Sequence, residues 1–499
     1  MEFQNSFLFL SVFLPTFAAV VTLLLAKQNR AQRWIGVIAG AVTWGMNIAV
    51  LIQVLDSGVQ TYRLGGHIPP YGIVMVADLL STIFALMGST VMMAGLMYTV
   101  HSHEYSTKYP IFVPMFLFMA TGLTGCFYTG DLFSFFVFIE LMVLASVSLV
   151  ATSDSEFGLE AAIKYIFISS MGTVFLLMGI AAMYVTFGTL NLAEMGSQLV
   201  TGERPLLATT ALIMLTCAFL LKSAVFPFHF WQPDFHTPAP TAAHAMLSSV
   251  IVKVGVYGVI RIQTLLFANE AEQIQQILVV LGIVGIFFGS LCALRTYNAK
   301  RMLAYSTIGQ IGFILVAIGW GGEIALAAAI IYAVNHAFVK SALLMTMGLV
   351  GSYNKEHSTN FADIGGIGNK IPPIIGMIWF LGAMSLAGLP PMNGFISKLM
   401  IVQSGIQLNE WLWVGLAVGS GVLTMMYMFS SWQRIFQTKK EVNVTVLEQG
   451  EGIVAPAFLI GLCILLGVYA RPLVVLAERA AAEIGDPSIY INAVSLFGG

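Results

Sequence analysis

Apolar residues run along this chain in long blocks that show neither the two-residue alternation of a half-buried strand nor the one-sided stripe of a soluble helix. Stretches such as 6–26 and 111–128 are apolar all round, the pattern of helices surrounded by lipid or by other helices. Reading the blocks between charged or turn-rich breaks predicts spans near 6–26, 34–55, 72–98, 111–128, 131–151, 160–187, 206–226, 240–267, 273–293, 300–319, 323–349, 371–408, 411–436 and 453–475. A transmembrane barrel would instead alternate over about ten residues.

Two spans are expected to be broken. The block 371–408 is too long for one crossing and carries Gly388, Pro390, Pro391 and Gly394, which interrupt the helical ladder and free carbonyls. The span at 206–226 runs into Pro227 and Pro233 in FPFHFWQPDFHTPAP, whose aromatic and proline content suits an interfacial break. The breaks lie five spans apart, and an odd offset reverses direction across the membrane, as in inverted-topology repeats.

Composition removes the soluble alternative. With 22 basic and 24 acidic residues, the chain is 9% charged against about 25% in soluble domains, while 58% apolar content supplies roughly fourteen spans of about 20 residues. A net charge of −2 leaves no basic patch for nucleic acid. Cys126, Cys217, Cys292 and Cys463 stand singly, without CxxC spacing, and read as packing residues. No GxGxxG, Walker or axial-ligand pattern is found, so no cofactor and no metal are expected. The first block has Glu2 where a secretory leader would be basic, and no small-x-small cleavage site; it reads as a retained span.

Loop cations set the orientation. Lys27, Arg30, Arg33, Lys108, Arg295, Lys300, Arg301, Lys355, Lys370, Arg434, Lys439 and Lys440 fall on one side, and Arg63, Arg204, Arg261, Arg471 and Arg479 on the other. Both termini are therefore expected outside the cytoplasm. Five lysines remain inside apolar spans: Lys164, Lys222, Lys253, Lys340 and Lys398.

A charge at mid-bilayer costs at least about 2.5–3.5 kcal/mol, so these lysines and Glu140 need partners or a use. Glu140, mid-span in GDLFSFFVFIELMVLAS, requires a nearby cation, and Lys222 is the candidate; a lysine whose counter-ion moves can carry protons. His336 and Lys340 in YAVNHAFVKSALL share a helical face. His244 and Lys253 share a span but sit two and a half turns apart, so water would have to bridge them. Alternating imidazole, lysine and water suits a proton relay, and Lys398 beside Pro390 and Pro391 would be its far end. Asp131, Lys164, His229 beside Phe230, Asp234 and His236 are accessory candidates, with snorkelling the alternative for Lys164. A static scaffold of ion pairs is the non-transporting alternative.

The runs FLFMATGLTGCFYTGDLFSFFVFIEL, LLKSAVFPFHFWQPDFHTPAPT, KVGVYGVIR, KRMLAYSTIGQIGF, NHAFVKSALL and AGLPPMNGFISK resemble, in order, the antiporter-like membrane subunits of complex I and its Mrp relatives. LGGHIPPYGIVMVADLLST and GLPPMNGFISK look most like the D-type component of Mrp-type Na⁺/H⁺ antiporters and its membrane-bound hydrogenase counterparts. The resemblance implies an all-α polytopic membrane protein of fourteen helices, with helices 4–8 and 9–13 as inverted repeats and helices 7 and 12 broken. The organisation expected is 1–110 for helices 1–3, 111–267 and 268–436 for the two repeats, and 437–499 for a loop, the last helix and a tail. By motif, Glu140 corresponds to the glutamate of the fifth helix, Lys222 to its partner in the seventh, Lys253 to the lysine of the eighth, His336 and Lys340 to the relay of the eleventh, and Lys398 to the terminal lysine of the twelfth.

The implied activity is proton translocation in a multi-subunit Na⁺/proton antiporter of a bacterial or archaeal plasma membrane. Its partners would be other integral membrane subunits, including another antiporter-like one, together with lipid, H⁺ and Na⁺ as a second candidate ion. PDFHTPAPTAAHAMLSS, and Asn298 where relatives often carry Asp, keep open the alternative of a proton-pumping subunit in a hydrogenase or NADH-quinone oxidoreductase.

Overall fold

A computed structural model describes residues 6–67, 71–201, 205–268, 271–354, 357–438 and 452–495. Lys355, Arg204, Lys439 and Lys440 of the charge comparison, and residues 439–451 and 496–499 of the 437–499 segment, lie outside them. The protein is a helical, polytopic membrane protein. Among the described residues ten helices are long and apolar enough to cross a bilayer, or twelve if each of two bent pairs counts as one span. Phe112–Tyr128 and Leu206–Lys222 are apolar but shorter, at 17 residues each.

Burial sorts the helices. Leu79–His101, Thr241–Leu266, Ala299–Trp320 and Gly322–Ser352 are enclosed almost all round, whereas Ser6–Leu24, Asn29–Ser57 and Trp411–Gln437 leave broad apolar faces outward. With no hydrophobic drive between helices in lipid, close backbone approach does the packing. Along Ala271–Arg295 and Ala299–Trp320 the glycines meet directly: a Cβ on Gly312 would lie 2.5 Å from the Gly282 carbonyl, and one on Gly289 2.6 Å from the Gly309 nitrogen.

Three expectations need correction. The span placed at 72–98 begins later, because Val74–Ala77 pairs antiparallel with Gln60–Arg63 and the helix starts after Asp78, whose carboxylate accepts from Ser81 N at 2.8 Å; a capping box there outweighs continued hydropathy. The span placed at 453–475 ends at Val468, bends by 80° and continues as Arg471–Gly485, a helix with buried Ala477, Ala480, Ala481 and Ile484 on one face. Beyond the break after Lys222, Trp231, Gln232, Phe235 and His236 are buried in protein, while Pro227 and Phe230 in the break itself are exposed. Arg261 is no loop cation. It lies inside Thr241–Leu266 and pairs with Asp78 at 2.6 Å, both buried, so hydropathy near a span end misassigned it.

The block 371–408 is two 15-residue helices, Pro373–Ala387 and Asn393–Gln407. Between them Gly388 takes φ +82° and Pro390–Pro391 is cis. The short Phe361–Asn369 segment meets Pro373–Ala387 at 116°.

Candidate functional site

Lys222 is the last residue of Leu206–Lys222, so its backbone sits where the helical ladder stops. Its side chain is 5% exposed and its Nζ is 3.6 Å from Glu140 Oε1, with Glu140 29% exposed. At that separation the attraction is about 4–5 kcal/mol for an effective dielectric constant of about 20. Desolvating the two ions costs several kcal/mol each, so the pair needs further partners, and the neighbouring helix provides them. Lys222 Nζ donates to Ser169 Oγ at 2.6 Å and lies 3.4 Å from Thr173 Oγ1. Thr173 Oγ1 in turn donates to Glu140 Oε1 at 2.5 Å. Thr173 thus bridges the pair and Ser169, one turn earlier on Glu156–Phe187, holds the ammonium, while Gly172 between them leaves room for the Lys222 stem.

Gly255 brings the next element close. A Cβ there would lie 2.2 Å from Ser223 Oγ, so only glycine lets the Thr241–Leu266 helix pack against the residue after Lys222. Two residues away, fully buried Lys253 places its Nζ in direct contact with His336 Nδ1 from Gly322–Ser352. His336 and Lys340, expected to work as one face, point to different neighbours. Lys340 Nζ donates to Leu303 O at 3.0 Å and Ser306 Oγ at 2.8 Å, and Ser306 is hydrogen-bonded to Tyr427. His336 Nε2 has no protein partner and borders a cavity of about 10 Å³, close to what one water needs. Gln310, Tyr332, Asn335, Ser385 and Ser397 complete its polar lining.

That cavity leads to the second break. Lys398 Nζ donates to Leu386 O at 3.0 Å and Ala387 O at 3.1 Å, carbonyls released where Pro373–Ala387 ends, and sits 4.9 Å from the centre of the Phe313 ring. The break is clamped by Asn393, which donates to Asn335 Oδ1 at 3.0 Å and accepts from Ser385 Oγ at 2.6 Å. Gly394 is obligatory there, since a Cβ would lie 1.8 Å from Ser385 O.

The remaining candidates divide. His236 and His244 rings meet edge-on at 5.4 Å. Neither nitrogen of His244 has a protein partner, nor does His236 Nδ1, His229 Nδ1, Ser223 Oγ or either polar atom of the Gln232 side chain. Asp234 pairs with Arg301 at 2.7 Å, each about a third exposed. His229 packs on Phe226 and Phe288, while Phe230 is exposed. Asp131 caps its helix, accepting from Ser134 N at 2.7 Å, and Lys164 is an exposed partner of Glu160; neither contacts the buried lysines. Pro227 follows a cis bond in the turn after Lys222.

Sequence reading missed Ser169, Thr173, Asn335, Asn393 and the Asp78–Arg261 pair. The signal available for the first two was their four-residue spacing on an apolar span; for the asparagines it was adjacency to His336 and to the Pro390–Pro391 break.

Comparison with known proteins places this arrangement. Residues 129–424 match the family model described as NADH:quinone oxidoreductase/Mrp antiporter, TM. The chain is similar to the D-type component of the Na(+)/H(+) antiporter of Alkalihalophilus pseudofirmus, with 29% identity over 98% of this chain and 99% of that one. It is also similar to the N-type component of the NADH-quinone oxidoreductase of Desulforudis audaxviator, with 31% identity over 84% of each. Among solved structures, a chain of the Mrp complex from Dietzia sp. DQ12-45-1b superposes with a TM-score of 0.90 at 25% identity, over 99% of this chain and 100% of that one. These relatives are subunits of multi-subunit membrane complexes. Matched over more than half its length, the chain belongs to the NADH:quinone oxidoreductase/Mrp antiporter family.

Proposed function

We propose that this chain is the proton-translocating subunit of an Mrp-type cation/proton antiporter, passing protons along Glu140, Lys222, His244, Lys253, His336, Lys340 and Lys398 to drive Na⁺ exchange within the complex. The observation that carries this is the buried contact between Lys253 and His336. It joins two helices, one packed at Gly255 against the residue after Lys222 and the other leading through Asn335 to the break beside Lys398. A contact of two titratable bases without an acid is poor scaffold and good relay.

Ten candidate spans, two bent pairs and two 17-residue apolar helices support a reading of fourteen crossings, with helices 4–8 and 9–13 as inverted repeats around breaks at 223–230 and 388–392. The domain boundaries at 110, 267 and 436 follow from it. An even number of crossings and the loop cations support both termini outside the cytoplasm of a bacterial or archaeal plasma membrane.

The test is Na⁺-dependent proton movement in proteoliposomes holding the whole complex, read with a pH-sensitive dye. Lys253→Met is expected to lower the rate at least about tenfold, with exposed Lys164→Met unchanged. A wild-type rate in Lys253→Met, with assembly verified, overturns the relay in favour of the scaffold. The second reading, a proton-pumping subunit of a hydrogenase or NADH-quinone oxidoreductase, is favoured by the 31% identity to the Desulforudis protein. Redox subunits co-purifying with the chain would select it.

A further inference from the structure

Trp411–Gln437 turns apolar residues outward, and its buried stripe is polar: Ser420, Thr424, Tyr427 and Ser431 follow one another at helical spacing. Ser420 and Ser431 return their hydroxyls to carbonyls of their own helix, whereas Tyr427, only 2% exposed, reaches across to Ala299–Trp320. There its hydroxyl meets Ser306 Oγ at 2.7 Å and accepts from Gln310 Nε2 at 3.5 Å. Ser306 and Gln310 are four apart and share a face, so one phenol spans a turn of the neighbouring helix.

Both ends of this bridge lead on. At one end Ser306 Oγ accepts from Lys340 Nζ at 2.8 Å; Lys340 is fully buried, and its other acceptor, Leu303 O at 3.0 Å, is neutral as well. At the other end Gln310 Oε1 accepts from the hydroxyl of Tyr332, which lines the small cavity beside His336. The Tyr332 ring stacks at 5.6 Å on Phe313, the ring that faces Lys398. Lys340, which does not line that cavity, is thus joined to it through two other helices. A neutral hydrogen bond adds little net stability once both groups have left water, so a static core would place apolar residues at these four positions.

We propose, on the reading of this chain as a proton relay, that Ser306, Tyr427, Gln310 and Tyr332 form a hydrogen-bonded link conveying the charge of Lys340 to the cavity beside His336, with Tyr427 as the central positioning residue. Gln310 has no titratable proton, so hydrogen-bond direction passes along the link and a proton does not. Either hydroxyl of the Ser306–Tyr427 pair can donate. Beside charged Lys340, Ser306 accepts from Nζ and turns its hydrogen to Tyr427, whose oxygen then faces two donors; the longer bond to Gln310 yields, and Tyr332 O–H is free to point into the cavity. Beside neutral Lys340, Ser306 donates to the Nζ lone pair, Tyr427 donates to Ser306, and Gln310 holds the Tyr332 hydroxyl back.

The test measures Na⁺-dependent proton movement per assembled complex in proteoliposomes. Ser306→Ala, Tyr427→Phe and Tyr332→Phe each remove one hydroxyl, and each should slow transport about fivefold, the worth of one hydrogen bond. Ser306 and Tyr332 bond to different partners, so independent losses would multiply to about twenty-fivefold in the double variant, whereas a single link broken at both ends leaves Ser306→Ala with Tyr332→Phe as slow as either alone. A multiplied loss, or wild-type rates in the three singles, overturns the link. Should Tyr427→Phe assemble poorly, the Ser306 and Tyr332 variants still decide. Lys253→Met in the same preparation separates the two readings: a wild-type rate there removes the relay itself, while a slow Lys253→Met beside unaffected hydroxyl variants removes only the link.

Discussion

The Asp78–Arg261 pair offers a quantitative test of how the enclosed helices are held. The carboxylate is bound twice by the guanidinium, at 2.6 and 2.8 Å, and both side chains are under a tenth exposed. Arg261 also lies 4.9 Å from the Tyr490 ring centre, tying the last described helix to Leu79–His101. Removing one partner of a buried pair costs about 3–5 kcal/mol because the other charge stays behind. Arg261→Met adds the loss of the ring contact, about 1 kcal/mol. Asp78→Asn should cost about 3–5 kcal/mol and no cap, since asparagine caps as well as aspartate. The double variant should recover at least about 2 kcal/mol against the sum, because two neutral side chains replace two ions. Cys126 and Cys463 are fully buried and unpaired, so a thiol-reactive dye on heated protein, with Cys217 and Cys292 replaced by Ser, reports opening. The expected apparent Tm of the double variant lies below that of wild type and clearly above the value given by summing the shifts of the two singles. A double variant melting as low as the summed singles refutes the argument, as does an unshifted Arg261→Met.

Three further outcomes follow from the site. Because Thr173 bridges Glu140 and Lys222, Glu140→Ala and Lys222→Ala should each abolish proton movement in proteoliposomes with the double no worse than either, while Thr173→Val gives a partial loss; additive partial losses in the Glu140 and Lys222 variants would separate the two. Lys398→Arg should assemble to normal levels yet transport at least about tenfold slower, since guanidinium hardly deprotonates; a wild-type rate would make Lys398 an electrostatic anchor. Gly394→Ala should lower assembled protein sharply on a gel-filtration profile, its Cβ falling 1.8 Å from Ser385 O, whereas Gly415→Ala, with open space around it, should not.

What the sequence disclosed is what carries a local cost. A lysine or glutamate in an apolar block, or a Pro-Pro pair flanked by glycines, is anomalous against its immediate neighbours, and the structure places Lys222, Lys253 and Lys340 inside the protein and Lys398 against the carbonyls of a helix end, with a break beside two of the four. Ser169, Thr173, Asn335 and Asn393 carry no such mark. Serine and threonine return their hydroxyls to the preceding turn in many apolar helices, as Thr124 and Ser146 do here, and only the contact between helices distinguishes Thr173 from them. The same limit explains Arg261. Its place near the end of its apolar block made it resemble a loop cation, and its partner Asp78 stands 183 residues earlier, at a helix start that hydropathy placed several residues too soon. It also explains why His336 and Lys340, correctly assigned to one face by spacing, do not meet. Periodicity fixes which way two side chains leave a helix, but the nearest partner is chosen by whichever helix packs there, and glycines at 255 and 394, unremarkable in a chain with 48 of them, decide that packing. Charges in lipid could therefore be read singly, while the connections between them depended on close approaches visible only after folding.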